Sequence, residues 1–316
     1  MPRSSGSGSA VRRSPFVPRV SLVSPTSVKT QRDRLRDEAI SLALDQAIAG
    51  DRAPLYDRLR RVSGLPGPRL FPGLVRAFGQ EAASRGGAVD ALLAAMLAIH
   101  EDVAPYGHVD EILPILGAAG TGARAAADPK VRAKLLEVLE EAACDVRFRV
   151  RETVGLSLVD VGLAVGPSFS DVLAAWLEHE QPYLTCAASI ALSSAELAAV
   201  LGGEALASLA GKALDRVARE HRAGRRHHAY RELAKVLVPT LVSLASRHPA
   251  VATTLESQAM REDEDVRAIL AEVAKGMRSH AGERATAIAE ALVRSTKAPR
   301  DPRWGRLPGK RGRGKH

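Results

Sequence analysis

Chemistry requires particular side chains held close together, and this 316-residue chain offers few candidates. The largest group is basic. Lys130, Lys134, Arg147 and Arg149 occupy polar positions around the apolar periods of two successive segments. Arg225 and Arg226 stand with three more arginines and three histidines in REHRAGRRHHAYRE, residues 219–232. Guanidinium and ammonium groups gathered in this way attract carboxylates or phosphates. These six residues are the expected contacts for a partner with an acidic surface or peptide. His100-Glu101 and His179-Glu180 are of metal-ligand type, but their contexts differ, AIHED and LEHEQ, and no cysteine cluster accompanies them. No metal or cofactor is expected. The two cysteines, Cys144 and Cys186, fall on apolar helix faces with no histidine nearby in sequence, and are expected to be buried, unreactive thiols. There is no G-x-S-x-G and no glycine loop that would cradle a phosphate after a strand, so catalysis finds no support in these residues.

The elements that must position these groups are helices. In DVRFRVRETVGLSLVDVG, residues 145–162, Val150, Val154, Leu158 and Val161 recur at steps of four, four and three, one face of a 3.6-residue period. Asp145 reads as a start signal and Gly162 as a stop. A Val-Arg pair followed by the same apolar steps recurs at Val131-Arg132 and at Val266-Arg267, as expected of a stacked array. Pro114 and Pro239 each sit inside an apolar helical run, and each is expected to kink a first helix that a straight Val-Arg helix follows. Periodicity predicts further helices over 31–49, 54–62, 74–84, 89–100, 168–178, 183–192, 195–201, 204–221, 230–247, 251–261, 265–278 and 284–294, with Ser168 and Ser194 as N-caps. No strand pattern appears.

Composition agrees. Apolar residues make up 46% and aromatics only 3%, a balance suited to helices packed through Ala and Leu. Residues 1–36 carry eight Lys/Arg against Asp33, and 294–316 carry nine against Asp301, which leaves the stretch between them at −6 of the total +9. The overall basic charge therefore belongs to the ends. Both ends, 1–30 and 297–316, are rich in Gly, Pro, Ser and Arg, and are expected to be disordered basic tails. No apolar run is long enough for a membrane span. The free cysteines suit a reducing, cytoplasmic setting.

The pattern D-x4-V-R-x2-V-x2-S-L-x2-V-G at Asp145, Val150, Arg151, Val154, Ser157, Leu158, Val161 and Gly162 resembles the second helix of a HEAT repeat, an armadillo-like helical unit. The match is partial at 128–142 and 263–277. The resemblance implies an all-α, right-handed α-solenoid of about six antiparallel helix pairs over 31–296. It also implies that Asp145 and Arg151 pair neighbouring repeats rather than touch a ligand. Its functional implication is a non-catalytic scaffold or adaptor that binds a protein partner on a concave face. Two enzyme families share such shells. Deoxyhypusine hydroxylases use four His-Glu dipeptides, where this chain has two. DNA-alkylation-repeat glycosylases place tryptophans at the lesion, where the body here has Trp176 alone. A nucleic-acid-binding relative of those glycosylases is the alternative, together with weak, sequence-independent binding of nucleic acid through the basic tails.

Overall fold

The computed structural model describes residues 31–67, 72–219 and 228–295, and these hold fifteen α-helices and no strand. In chain order they are α1 (Gln31–Ile48), α2 (Ala53–Val62), α3 (Pro72–Ser84), α4 (Asp90–Leu97), α5 (Ile112–Ala127), α6 (Arg132–Ala142), α7 (Phe148–Val165) and α8 (Phe169–Glu178). There follow α9 (Pro182–Leu192), α10 (Ala195–Leu201), α11 (Gly203–Arg219), α12 (His228–Arg247), α13 (Pro249–Gln258), α14 (Glu264–Met277) and α15 (Gly282–Arg294). Short 3₁₀ turns at Gly86–Val89 and Val109–Glu111 lead into α4 and α5. The expected tails, 1–30 and 297–316, lie outside the described residues, as do Arg225 and Arg226.

Local sequence explains most boundaries. Gly50, Gly64 and Gly202 take positive φ after α1, α2 and α10, a conformation that L side chains resist. Pro182 and Pro249 open α9 and α13, where a missing N–H leaves no bond unmade. Ser194 caps α10 by accepting from the Leu197 N–H, and Asp263 caps α14 by accepting from Asp265 and Val266. Ser168 stands at the start of α8, but its side chain caps nothing.

Three expectations are corrected. Helix α7 does not stop at Gly162; it continues to Val165 and ends at Gly166, whose φ is +86°. Gly162 is instead a packing glycine, because a Cβ there would meet Leu197 Cδ1 at 2.6 Å and Phe169 Cδ1 at 2.7 Å. Pro114 is the third residue of α5, within the first turn, where its missing N–H is harmless; only Pro239, in α12, is interior to its helix. Finally, the three Val-Arg frames do not occupy equivalent places. Helices α7 and α14 belong to one long row, whereas α6 lies beside α5 outside it.

That row is α1, α3, α5, α7, α9, α12, α14, each packed on the next. A second row, α8, α11, α13 and α15, runs along the later half. Glycines let the central helices approach closely. A Cβ on Gly122 of α5 would lie 2.3 Å from Ser157 Cβ of α7, and one on Gly155 of α7 would lie 2.7 Å from Ile190 Cβ of α9. Matching depths show that these helices run parallel. Glu111, just before α5, meets Arg149 near the start of α7, and further along Ala118 O accepts from Ser157 Oγ at 3.3 Å. Arg151 lies over Tyr183 at the start of α9, and Cys186 Sγ approaches Ala229 O at the start of α12. The starts of α5, α7, α9 and α12 thus line one edge of the molecule. The core is continuous along both rows, from Ile40 to Ala291.

Candidate functional site at the start of the seventh helix

Residues 145–151 bring most of the charged candidates to that edge. Alternation along DVRFRVR puts three guanidinium groups within one turn and a half, and each finds a carboxylate. Asp145 accepts from the backbone N–H of Arg147 at 2.7 Å, from its Nε at 2.8 Å and from its Nη2 at 2.5 Å. Arg147 Nη1 donates to Ala104 O at 3.2 Å, and the residue is only 3% exposed. Arg149 Nη1 donates to Glu111 Oε2 at 2.9 Å, and its guanidinium lies 5.0 Å from the centre of the Tyr106 ring. Glu111 is fully buried; its Oε2 also accepts from the Gly107 N–H at 2.7 Å, while its Oε1 has no partner. Arg151 Nη1 donates to Asp145 O at 2.6 Å, its Nη2 pairs with Glu232 of α12, and its guanidinium lies 4.3 Å from the centre of the Tyr183 ring.

This geometry corrects the expected basic patch. Arg147 is buried and Arg149 half-buried, and both are paired. Lys130 and Lys134 are exposed, but they stand at the start of α6, beyond the far end of α5. Helix α6, eleven residues and about 16 Å long, separates them from Arg147. The four cations therefore form no common surface. Asp145 and Arg151 both anchor structure, though not as a simple pair. Arg151 uses the backbone carbonyl of Asp145, and the Asp145 carboxylate belongs to Arg147. Arg151 instead ties α7 to α12 across the start of α9.

The same use of arginine recurs elsewhere. Arg132 Nε donates to Ala125 O at 2.8 Å, Arg216 Nε to His179 O at 2.9 Å, Arg267 Nη2 to Leu292 O at 2.7 Å, and Arg284 Nη1 to Ser246 O at 2.9 Å. Each places a cation on carbonyls at or just beyond a helix C-terminus, where the last four lack helical partners and the dipole is negative. These arginines join helices to one another and leave little guanidinium for ligands.

The other candidates are equally occupied or inert. Cys144 is not buried as expected; it is exposed in the turn after α6. Partial burial and Glu140 push its thiol up, against the pull of Arg151. Burial pushes the Cys186 thiol up to about 12, with Glu232 adding to the rise and Arg151 opposing it. Neither is an activated thiolate. Trp176 is only 5% exposed, in the core, and offers no face for a base to stack on. His100 is exposed and bonded to the backbone of Asp102, and His179 to that of Gln181. Among the described residues no group of three or more His, Cys, Asp or Glu is arranged to hold a metal ion.

Sequence reasoning missed Glu111 and Glu152. Burial raises the Glu152 carboxyl, with Arg149 pulling it back. Neither deviates from an ordinary solvated position in sequence, so only the packing identifies them.

The fold and site define an all-α protein whose buried charges join its helices. No single helix among the described residues is long and apolar enough to cross a membrane. No protein-family model matches the chain, and no curated protein matches it.

Proposed function

We propose that this chain is a non-catalytic scaffold of the HEAT-like kind, a right-handed α-solenoid of about six antiparallel helix pairs that binds a protein partner on its concave face. The observation that carries this reading is the row α1, α3, α5, α7, α9, α12, α14, in which each helix packs on the next member of the row. Such an array presents a long surface rather than a closed pocket. The charges at the start of α7 agree with it, because Arg147, Arg149 and Arg151 are paired within the fold. A pull-down with the full chain, with and without nuclease, tests the proposal. The expected result is a stoichiometric protein partner retained after nuclease treatment. Capture that disappears with nuclease defeats it.

The charge distribution favours one second reading. Eight and nine basic residues lie in the two terminal stretches, against a net −6 between them. Nucleic acid would then bind through the ends, without sequence preference and with a log–log salt slope of about −0.9 per phosphate contacted on duplex DNA. Gel shifts at two salt concentrations, comparing the full chain with residues 31–296, decide this. Equal affinity of the two proteins excludes the ends as the site.

A further inference from the structure

Eight large apolar side chains are exposed among the described residues, and four of them, Val103 (64%), Tyr106 (64%), Val146 (61%) and Phe148 (37%), lie on two neighbouring stretches of one edge. Two contacts bring them together. Arg147, between Val146 and Phe148, donates to Ala104 O, next to Val103, and Arg149 lies under the Tyr106 ring. An apolar cluster of this kind on a water-facing edge marks an interaction surface.

The charge around it is acidic. The cations beneath are matched, Arg147 by Asp145, Arg149 by Glu111 and Arg151 by Glu232. Glu101 and Asp102 precede Val103, and Glu140 and Glu141 close α6 just before the cluster. Two histidines face these acids: His100 Nδ1 lies 3.1 Å from Asp102 and His179 Nε2 lies 3.7 Å from Glu140. The occupant that fits is therefore basic and apolar.

The chain itself supplies such a segment within reach. Residues 12–23 read RRSPFVPRVSLV, with three arginines, five large apolar residues and no acid. The chain enters the described structure at Gln31, the start of α1. Arg60, near the end of α2, pairs with Asp110 just before α5, so α2 ends on the α5–α7 edge. Helix α1 runs antiparallel to α2 and begins on that same edge. From α1 the cluster is two to three helix spacings away, about 16–30 Å at 8–10 Å each. Val23 can lie up to about 28 Å from Gln31, and Phe16 up to about 50 Å.

We propose that residues 12–23 dock on the cluster of Val103, Tyr106, Val146 and Phe148, with their arginines toward the acidic rim. This goes beyond the partner-binding reading and does not depend on it. The exposed thiol of Cys144, two residues from Val146, reports on the site, while Cys186 is buried and escapes labelling in the folded chain. The full chain is labelled at Cys144 with a benzophenone maleimide, irradiated and mapped by mass spectrometry. Cross-links within the same chain to residues 12–23 are expected, falling at least about fivefold in Val146→Asp at unchanged circular dichroism. A second variant, Phe16→Ser with Leu22→Ser, leaves the helical body untouched and should lose the cross-link equally. Cross-links to residues 296–316 or to another copy, an even spread along residues 1–30, insensitivity to the variants, or no cross-link at all overturns the proposal.

Discussion

Arg149→Met is the sharpest test of how charge is used at the start of α7. It removes the guanidinium from Glu111, a carboxylate with no exposure to water and one oxygen already without a partner. What remains for Glu111 is the single N–H of Gly107, at 2.7 Å. Breaking one side of a buried ion pair costs about 3–5 kcal/mol, chiefly because the other charge is left stranded. The stacking on Tyr106 adds little, about 0.5–1 kcal/mol, since that ring is largely in water. Glu111→Gln in the same chain removes the stranded charge and keeps an acceptor for Gly107, so the double variant should lose only about 1–2 kcal/mol. Glu111→Gln alone should also cost about 1–2 kcal/mol, because Arg149 is 13% exposed and can turn toward water. The assay is urea unfolding followed by circular dichroism, with amide exchange reporting α5 and α7 separately from α12 and α14. Local contacts dominate in a row of helices, so faster exchange should concentrate at α5 and α7. A loss under about 1 kcal/mol in Arg149→Met, or two single losses that simply add in the double variant, refutes the reasoning.

Arg147→Ala should destabilise by about 3 kcal/mol through the stranded Asp145, while exposed Lys134→Ala stays within about 0.5 kcal/mol in the same urea titration. Gly155→Ala should cost about 1–3 kcal/mol, because the new Cβ would lie 2.7 Å from Ile190 Cβ and 2.9 Å from Ala187 O; Gly282→Ala, with open space around it, is the control. Glu152 gives a pH test. Its carboxyl is raised by burial, only partly offset by Arg149, so the folded chain holds that proton more tightly than the unfolded one. Its contribution is most favourable below the unfolded pKa of about 4.3 and is lost as pH rises from there toward the folded value. Glu152→Gln should therefore flatten the decline in unfolding free energy above pH 4, and an unchanged pH profile would count against burial as the cause.

What the sequence determined by itself is the local part. The 3.6-residue spacing of Val150, Val154, Leu158 and Val161 identifies α7, and Ser194 marks the start of α10, because periodicity and capping are properties of a few consecutive residues. The charge asymmetry between body and ends is likewise legible at once. Tertiary structure decided the rest. Gly162 looks like a stop, yet it is interior, since Leu197 and Phe169 come too close for any larger residue. Arg147, Arg149 and Arg151 are alike in sequence, and their fates differ only through Ala104, Glu111 and Glu232, which lie 38 to 81 residues away. Lys130 and Lys134 seem neighbours of these arginines until the reversal through α6 sends them to the opposite edge. A cation's exposure depends on what the chain brings over it from elsewhere, and no local pattern carries that information.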